Sequence, residues 1–185
     1  MLAENLAGAG DGLTPVGGAK TVAILLAATA LLGCDRQAGA VAHRAGQPEV
    51  EMVAPDDSAM NAAMGTARAT LDRLAERIAR PPAGQSNLAL KVRLEEGEAV
   101  EHIWLTDLGY ADGRFFGRVS NEPLDLRKVR LGDSVSAGRE EISDWMAVEN
   151  GRLVGGYTLR VLRDRMSPAE RAELDTSWTF RIEQE

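Results

Sequence analysis

The placement of the aromatic residues limits where this chain can build a hydrophobic core. All eight of its Trp, Tyr and Phe side chains lie between positions 104 and 180 of the 185 residues. Aromatic side chains bury the largest apolar area per residue. The core is therefore expected in the C-terminal two thirds of the chain, and the length suits one domain rather than two.

The first 57 residues contain no aromatic side chain and are rich in alanine and glycine. A segment of this composition cannot bury enough apolar surface to offset the entropy lost on ordering. We interpret residues 1–33 as a leader, residues 34–57 as a flexible tether and residues 58–185 as the globular domain.

An uncharged run from Val22 to Leu32 characterises the leader. As a helix it would reach only about 16 Å at 1.5 Å per residue, whereas the hydrocarbon core of a bilayer is roughly 30 Å thick. The run is too short for a permanent span. It has signal-peptide length, and Lys20 supplies a positive charge before it.

The run ends in Leu31-Leu32-Gly33-Cys34, which resembles the lipobox of bacterial lipoproteins. The resemblance implies that a diacylglycerol is attached to Cys34, that cleavage occurs before it, and that a further acyl chain is added to its amino group. Two or three chains hold a protein stably, because each buried CH₂ contributes roughly 0.8 kcal/mol. We therefore expect the lipid bilayer as a partner and a periplasm-facing anchor in the bacterial cell membrane. Asp35 resembles an inner-membrane retention signal of enteric bacteria, and the choice of membrane stays open.

Two other interpretations of the leader stay open. Cys34 could be an ordinary small apolar residue at the end of a buried helix, or the chain could be a cytosolic domain whose hydrophobic leader is an artefact. Nineteen residues precede Lys20, with Glu4 and Asp11 as their charged side chains, which is unlike a short basic n-region. We expect translation to start at Val16 instead, read as an alternative start codon. Cys34 is the single cysteine, which excludes an internal disulfide.

The charge distribution argues against a nucleic-acid partner. The formal net charge is -7, and the 21 Lys and Arg residues are scattered along the chain. Binding a polyanion depends on clustered positive charge that releases counterions. The acidic balance indicates solubility rather than a particular ligand.

The domain is predicted to begin with one amphipathic helix. Ser58 is the expected N-cap, and apolar residues from Met60 to Ile78 recur at helical spacing on one face. The pair Pro81-Pro82 ends the helix.

Beyond residue 87 the apolar period becomes two, which predicts strands. Asp112-Gly113 and Asn150-Gly151 predict tight hairpins, and Gly155-Gly156 predicts a bend or bulge inside the last long strand. Ser167-Pro168-Ala169-Glu170 predicts a capping box that starts a short helix, and residues 178–182 alternate as a final strand. The other strands are expected at 88–94, 100–108, 115–120, 134–137, 142–149 and 152–162.

These elements predict an α+β fold. We expect the N-terminal helix to pack on a strongly bent, mainly antiparallel sheet or small partial barrel, followed by a short C-terminal helix and strand.

Four motifs occur in order along the domain. They are Glu101-His102-Ile103-Trp104-Leu105, Asn121-Glu122-Pro123, Ile142-Ser143-Asp144-Trp145-Met146, and the stretch from Asn150-Gly151 to Gly155-Gly156-Tyr157. Together they resemble the YegJ-like family, a bacterial domain of unknown function, over roughly residues 57–163. The family has no assigned reaction or catalytic residues that the resemblance could carry over, and we expect no cofactor and no metal site.

The motifs supply candidates for a surface or ligand site: His102, Trp104, Asn121, Glu122, Asp144, Trp145 and Tyr157. A bland interpretation exists for each. A histidine on a strand is more often a rim residue than a catalyst. A short polar side chain in a turn usually satisfies backbone amides, and aromatic side chains usually belong to the core.

The sequence predicts a membrane-anchored lipoprotein whose domain is a non-catalytic module that binds another envelope protein or a wall component. The alternative is a small hydrolase-like enzyme that uses His102 with Asp144 or Glu122, which requires these groups to meet in a cleft.

Overall fold

The structure is a computed structural model that describes residues 41–42, 50–51 and 56–183. The predicted leader, Cys34 and most of the predicted tether lie outside the described residues. Inside the tether segment, two short strands pair antiparallel, with Val41 opposite Glu51 and Ala42 opposite Val50.

The described elements are helices that come in consecutive pairs and runs of antiparallel strands. In chain order they are β1 (Val41–Ala42), β2 (Val50–Glu51), α1 (Ser58–Ala69), α2 (Leu71–Ala79), β3 (Gln85–Glu96), β4 (Ala99–Ala111), β5 (Arg114–Val119), β6 (Ser134–Ala137), a 3₁₀ turn (Arg139–Glu141), β7 (Ile142–Glu149), β8 (Arg152–Gly155), α3 (Tyr157–Arg165) and α4 (Pro168–Ser177).

The larger sheet has the strand order β6-β5-β4-β3-β7-β8, and all neighbouring strands run antiparallel. It is open, with β6 and β8 at its two edges, and the predicted α+β class is confirmed. The hairpins at Asp112-Gly113 and Asn150-Gly151 are also confirmed. Both residues of each turn have φ between 50° and 77°, the left-handed conformation that type I′ turns need.

The core lies between one face of this sheet and the helix pair α1–α2. Fully buried Leu71 and Leu74 of α2 meet Leu90 of β3, Ile103 of β4 and Trp145 of β7. Burying side chains of this size stabilises the fold by roughly 1.5–3 kcal/mol each. The predicted packing of the N-terminal helical segment on the sheet is therefore confirmed.

The predicted single N-terminal helix is divided at Thr70. The Thr70 hydroxyl donates to the carbonyl of Thr66 at 2.9 Å, so its side chain competes with the regular helical pattern. The N-cap is Asp57, whose Oδ1 accepts the Met60 N–H at 3.0 Å, and the prediction of Ser58 was wrong by one residue.

The prediction of a strand over 152–162 was wrong in its second half. Strand β8 ends at Gly155, and Gly155 and Gly156 have φ of 71° and 65°. A Cβ on Gly155 would lie 2.5 Å from the carbonyl oxygen of Trp145, so this close approach requires glycine. The chain then turns into α3 instead of continuing along the sheet.

The C-terminal segment follows the edge strand β8. The predicted capping box is confirmed, because Ser167 Oγ accepts the Glu170 N–H while the Glu170 carboxylate accepts the Ser167 N–H. Of the predicted final strand, one parallel bridge between Arg152 and Arg181 is formed. The rings of Trp178 and Phe180 stack on each other there, with their centroids 4.8 Å apart.

Candidate functional site

The fully buried carboxylate of Asp144 connects β7 to the first turn of α3. Oδ1 accepts the N–H groups of Trp145 at 2.8 Å and Tyr157 at 3.0 Å. Oδ2 accepts the N–H of Thr158 at 2.8 Å and its hydroxyl at 2.5 Å. The first amides of a helix have no partner within the helix and attract negative charge. Asp144 therefore caps α3 from a distant strand.

Lys91 lies beside Asp144 on the neighbouring strand, where the two residues are paired in register. The Lys91 ammonium lies 5.3 Å from the ring centroid of Trp104, on its other neighbouring strand. Burial lowers the pKa of Lys91, and the nearby charge of Asp144 opposes that shift. Burial likewise raises the pKa of Asp144, against the hydrogen bonds from Thr158 and the charge of Lys91.

His102 lies on β4 opposite Arg93 and is exposed. Although part of the residue is open to solvent, the protein around the imidazole desolvates it and lowers its pKa to about 4, and the positive charges of Lys91, Arg93 and Arg68 act in the same direction. A neutral imidazole with this pKa is a weak base near pH 7.

The structure does not bring His102 together with Asp144. Strand β3 separates their strands. His102 pairs with Arg93 of β3, and Asp144 pairs with Lys91, two residues earlier on the same strand. With strands about 4.8 Å apart and about 3.4 Å per residue, their Cα atoms are roughly 12 Å apart. All four hydrogen bonds to the Asp144 carboxylate come from other groups.

Asn121 and Glu122 belong to the irregular segment after β5. Asn121 Oδ1 accepts the Trp104 N–H at 2.8 Å, so this side chain continues the backbone pairing of β4. Glu122 is exposed. The bland interpretation of Asn121, a residue that satisfies a backbone amide, agrees with this geometry.

Trp145 and Tyr157 contact each other at the core. Trp145 is fully buried, and its indole N–H donates to Thr70 Oγ1 at 2.9 Å, between the two N-terminal helices. The ring of Tyr157 meets it edge-on, with centroids 6.2 Å apart. Trp145 is therefore a core residue, and half-buried Tyr157 packs against that core.

Two shallow depressions lie elsewhere on the domain. One, of about 340 Å³, is lined by Arg73, Glu76, Arg77, Arg80 and Pro82 of the α2 region. The other, of about 400 Å³, lies between the Asn150-Gly151 turn and the C-terminal segment. Neither contains a sequence-predicted site residue. No group of three or more His, Cys, Asp and Glu side chains that could hold a metal occurs within the described ranges.

Two features of this region could not be read from the sequence. The alternation of polar and apolar residues along β3 predicts that Lys91 faces solvent. Its burial instead follows from its place between Trp104 and Asp144 on the two neighbouring strands. Glu101 belongs to one of the four motifs, but the motif gave no sign that its side chain binds the backbone of the segment after β5. Its carboxylate accepts the N–H groups of residues 124–126, with bonds to Leu124 and Leu126 of 2.9–3.0 Å.

The predicted lipid-attachment residue Cys34 is not among the described residues. No helix in the described part of the chain is long and apolar enough to cross a membrane.

Comparison with known proteins gives a family but no activity. Residues 57–182 match the family model DUF2314, described as an uncharacterized protein conserved in bacteria. The uncharacterized protein YegJ of Escherichia coli K12 is 35% identical over 104 residues, which cover 56% of this chain and 67% of YegJ.

A second relative, from Neisseria meningitidis serogroup B, is a protein named for ankyrin repeats. It is 44% identical over 85 residues, which cover 45% of this chain and 33% of that protein. The match thus spans a third of that relative's length. No solved structure matches the chain. With a family match over most of the domain and the YegJ similarity, the chain belongs to the DUF2314 family of bacterial proteins, and its domain is YegJ-like.

Proposed function

We propose that this protein is a lipoprotein held at the periplasmic side of the bacterial cell membrane through an acylated Cys34. We further propose that its domain is a non-catalytic module that binds another component of the envelope. The anchor is supported by the sequence from Lys20 to Cys34, with a basic residue, a short apolar run and a small residue before the cysteine.

The observation that carries the non-catalytic part is the bonding of Asp144. A carboxylate that acts as acid or base must present an oxygen to a substrate. Both oxygens of Asp144 accept two hydrogen bonds each, from amides and a hydroxyl of the protein itself. This bonding supports a structural role for the residue that sequence reasoning placed in a hydrolase-like site.

The binding part is supported by the surface around Trp104. Half-buried Trp104 and exposed His102 and Arg93 share one face of the sheet, opposite the face that the helices cover. The Neisseria relative is named for ankyrin repeats, and stacked repeats of that class form extended binding surfaces. A domain similar to this one therefore occurs in a protein named for a class of binding repeats, which supports a role in binding.

Metabolic labelling with a palmitate analogue tests the anchor. We expect the full chain to incorporate the label and to sediment with membranes, and the Cys34→Ala variant to lose both properties. The matched control Ser58→Ala, a polar residue at the start of the domain, should label as wild type does. Recovery of unacylated chain from the cytosol, with residues 21–33 still attached, would contradict the proposal.

Activity measurements test the non-catalytic part separately. If purified protein hydrolyses a generic ester or phosphoester and the rate falls at least tenfold in His102→Gln, the hydrolase alternative is supported instead. Absence of a His102-dependent rate agrees with the proposal.

A further inference from the structure

The open face of the sheet is defined here by Lys91 and Arg93 of β3, His102 and Trp104 of β4, and Phe116 and Arg118 of β5. Along each strand these residues alternate with buried ones that face the helices, such as Leu90, Ile103 and Phe115. Side chains at alternate positions of a strand point to opposite faces. The six residues therefore share the face opposite α1 and α2.

The Lys91 ammonium on this face has no hydrogen-bonded partner among the described residues. Its neighbours are the Trp104 ring at 5.3 Å and the charge of Asp144, whose oxygens are occupied by four other donors. A partly buried cation without a hydrogen-bond acceptor is unfavourable. An external carboxylate would supply that acceptor.

The surroundings of Lys91 favour an anionic partner with apolar side chains. Arg93 and Arg118 add positive charge, in a chain whose formal net charge is -7. Arg93 bonds to Glu95, but an exposed pair of this kind contributes little stability and is readily exchanged. Phe116, two residues from Arg118 on β5, is 45% exposed and adds apolar area to the open face.

The depth and spacing of the cations favour a polypeptide over a lipid surface. The Lys91 ammonium lies down against the Trp104 ring, where a protruding side chain reaches it more easily than a flat layer of headgroups does. Lys91 and Arg93 are two residues apart on one strand, which is roughly 7 Å. Alternate side chains of an extended peptide have the same spacing.

We infer that the open face binds an extended acidic segment of an envelope protein. One carboxylate of the segment bonds to Lys91, a second carboxylate two residues away bonds to Arg93, and an apolar side chain of the segment covers Trp104. The assignment of the partner to the envelope rests on the proposed function, whereas the chemistry of the contact does not.

Titration of the full chain with a synthetic peptide tests this inference. The probe is an acetylated extended peptide with one valine and two glutamates at three successive alternate positions, and the matched control replaces both glutamates by glutamine. Nuclear magnetic resonance of the indole N–H groups reports binding, because the chain has 3 Trp residues and the Trp104 signal is assigned with Trp104→Phe. We expect the acidic peptide to shift the Trp104 signal in a saturable, salt-sensitive way, and the glutamine peptide to leave it unchanged.

The chain offers a matched control for the key cation. Lys91→Met keeps the length and apolar stem of the side chain and should weaken binding roughly tenfold or more, because the carboxylate of the peptide would lose its charged partner in a desolvated setting. Lys128→Met makes the same change at the other lysine of the domain, which is exposed, and should leave the affinity within about twofold. Circular dichroism spectra of both variants establish that they fold.

The remaining outcomes contradict the inference. The inference is overturned if both peptides bind equally, or if the two Met variants bind the acidic peptide with equal affinity. It is also overturned if the chain binds phosphatidylglycerol vesicles or purified cell-wall sacculi through Lys91 but does not bind the peptide. None of these results would bear on whether Cys34 is acylated. Conversely, if the native chain is recovered unacylated from the cytosol and still binds the acidic peptide through Lys91, the anchor is refuted and this contact is retained.

Discussion

Replacing Asp144 by alanine is expected to destabilise the domain severely. The change leaves the N–H groups of Trp145, Tyr157 and Thr158, and the Thr158 hydroxyl, without their acceptor, and the bonds to Trp145 and Thr158 are fully buried. A buried donor without a partner costs about 1–3 kcal/mol. Because water can enter the vacated space and serve some of these groups, we take the lower end and expect a loss of about 3–5 kcal/mol, against a typical total of about 5–15 kcal/mol.

Urea denaturation followed by tryptophan fluorescence and circular dichroism measures this loss. With a slope of about 2 kcal/mol per molar urea, the midpoint should fall by about 1.5–2.5 M. The control Asp164→Ala removes an exposed carboxylate from α3 itself and should change stability by no more than about 0.5 kcal/mol. Thr158→Val removes one of the four donors and keeps the carboxylate, so its cost should be about 1–1.5 kcal/mol. A loss for Asp144→Ala within 1 kcal/mol of that for Asp164→Ala would show that the cap is not a major source of stability.

Three further predictions concern single positions. In the His43→Gln variant the remaining imidazole signals belong to His102, and they should titrate with a pKa of about 4. In the unfolded chain the pKa of a histidine is about 6.5. Because the unfolded state binds more protons between these two values, His102 should contribute to a rise in the free energy of unfolding as the pH rises from about 4 to about 6.5. A titration midpoint near 6.5 would refute the desolvation of the ring. Gly155→Ala should cost at least about 2 kcal/mol in urea denaturation, since φ is 71° and the new Cβ meets the Trp145 carbonyl oxygen; a neutral effect would contradict the described turn. Gly65→Ala, at an exposed helical position with no atom near the new Cβ, should instead stabilise by about 0.5–1 kcal/mol, and a loss of stability there would count against the helix assignment.

Local chemistry allowed much of the fold to be predicted from the sequence. The Asn150-Gly151 and Asp112-Gly113 turns and the Ser167 capping box depend on residues that are neighbours in the chain, and each occurs as expected. The strands of the sheet also follow from their period of two. These features need no knowledge of tertiary contacts.

Helix α3 could not be predicted in the same way. Its sequence from Tyr157 to Leu162 contains aromatic and β-branched residues that favour strands. Two facts override that preference: the left-handed conformation at Gly155-Gly156, and the carboxylate of Asp144, 13 residues before Tyr157, which accepts hydrogen bonds from the first amides of the helix. A cap from so distant a residue leaves no signature beside the helix, where sequence rules look for one.

The same limit applies to the candidate site. His102, Trp104 and Asp144 were identified as residues in distinctive settings, but the sequence could not say that Lys91 lies between Trp104 and Asp144. That placement depends on strand order, since β7 pairs with β3 after a long excursion through β4, β5 and β6.

Because α3 is capped by a residue of β7, we expect this helix to form late in the folding of the domain. A nine-residue helix is too short to persist alone in water, so α3 gains its stability from contacts made elsewhere. Its first amides find their acceptor once β7 has been placed beside β3 and has brought Asp144 into position. In a nascent chain α3 should therefore stay uncoiled until β7 has joined β3 and has brought Asp144 into place, and α3 should become resistant to proteases only after that step.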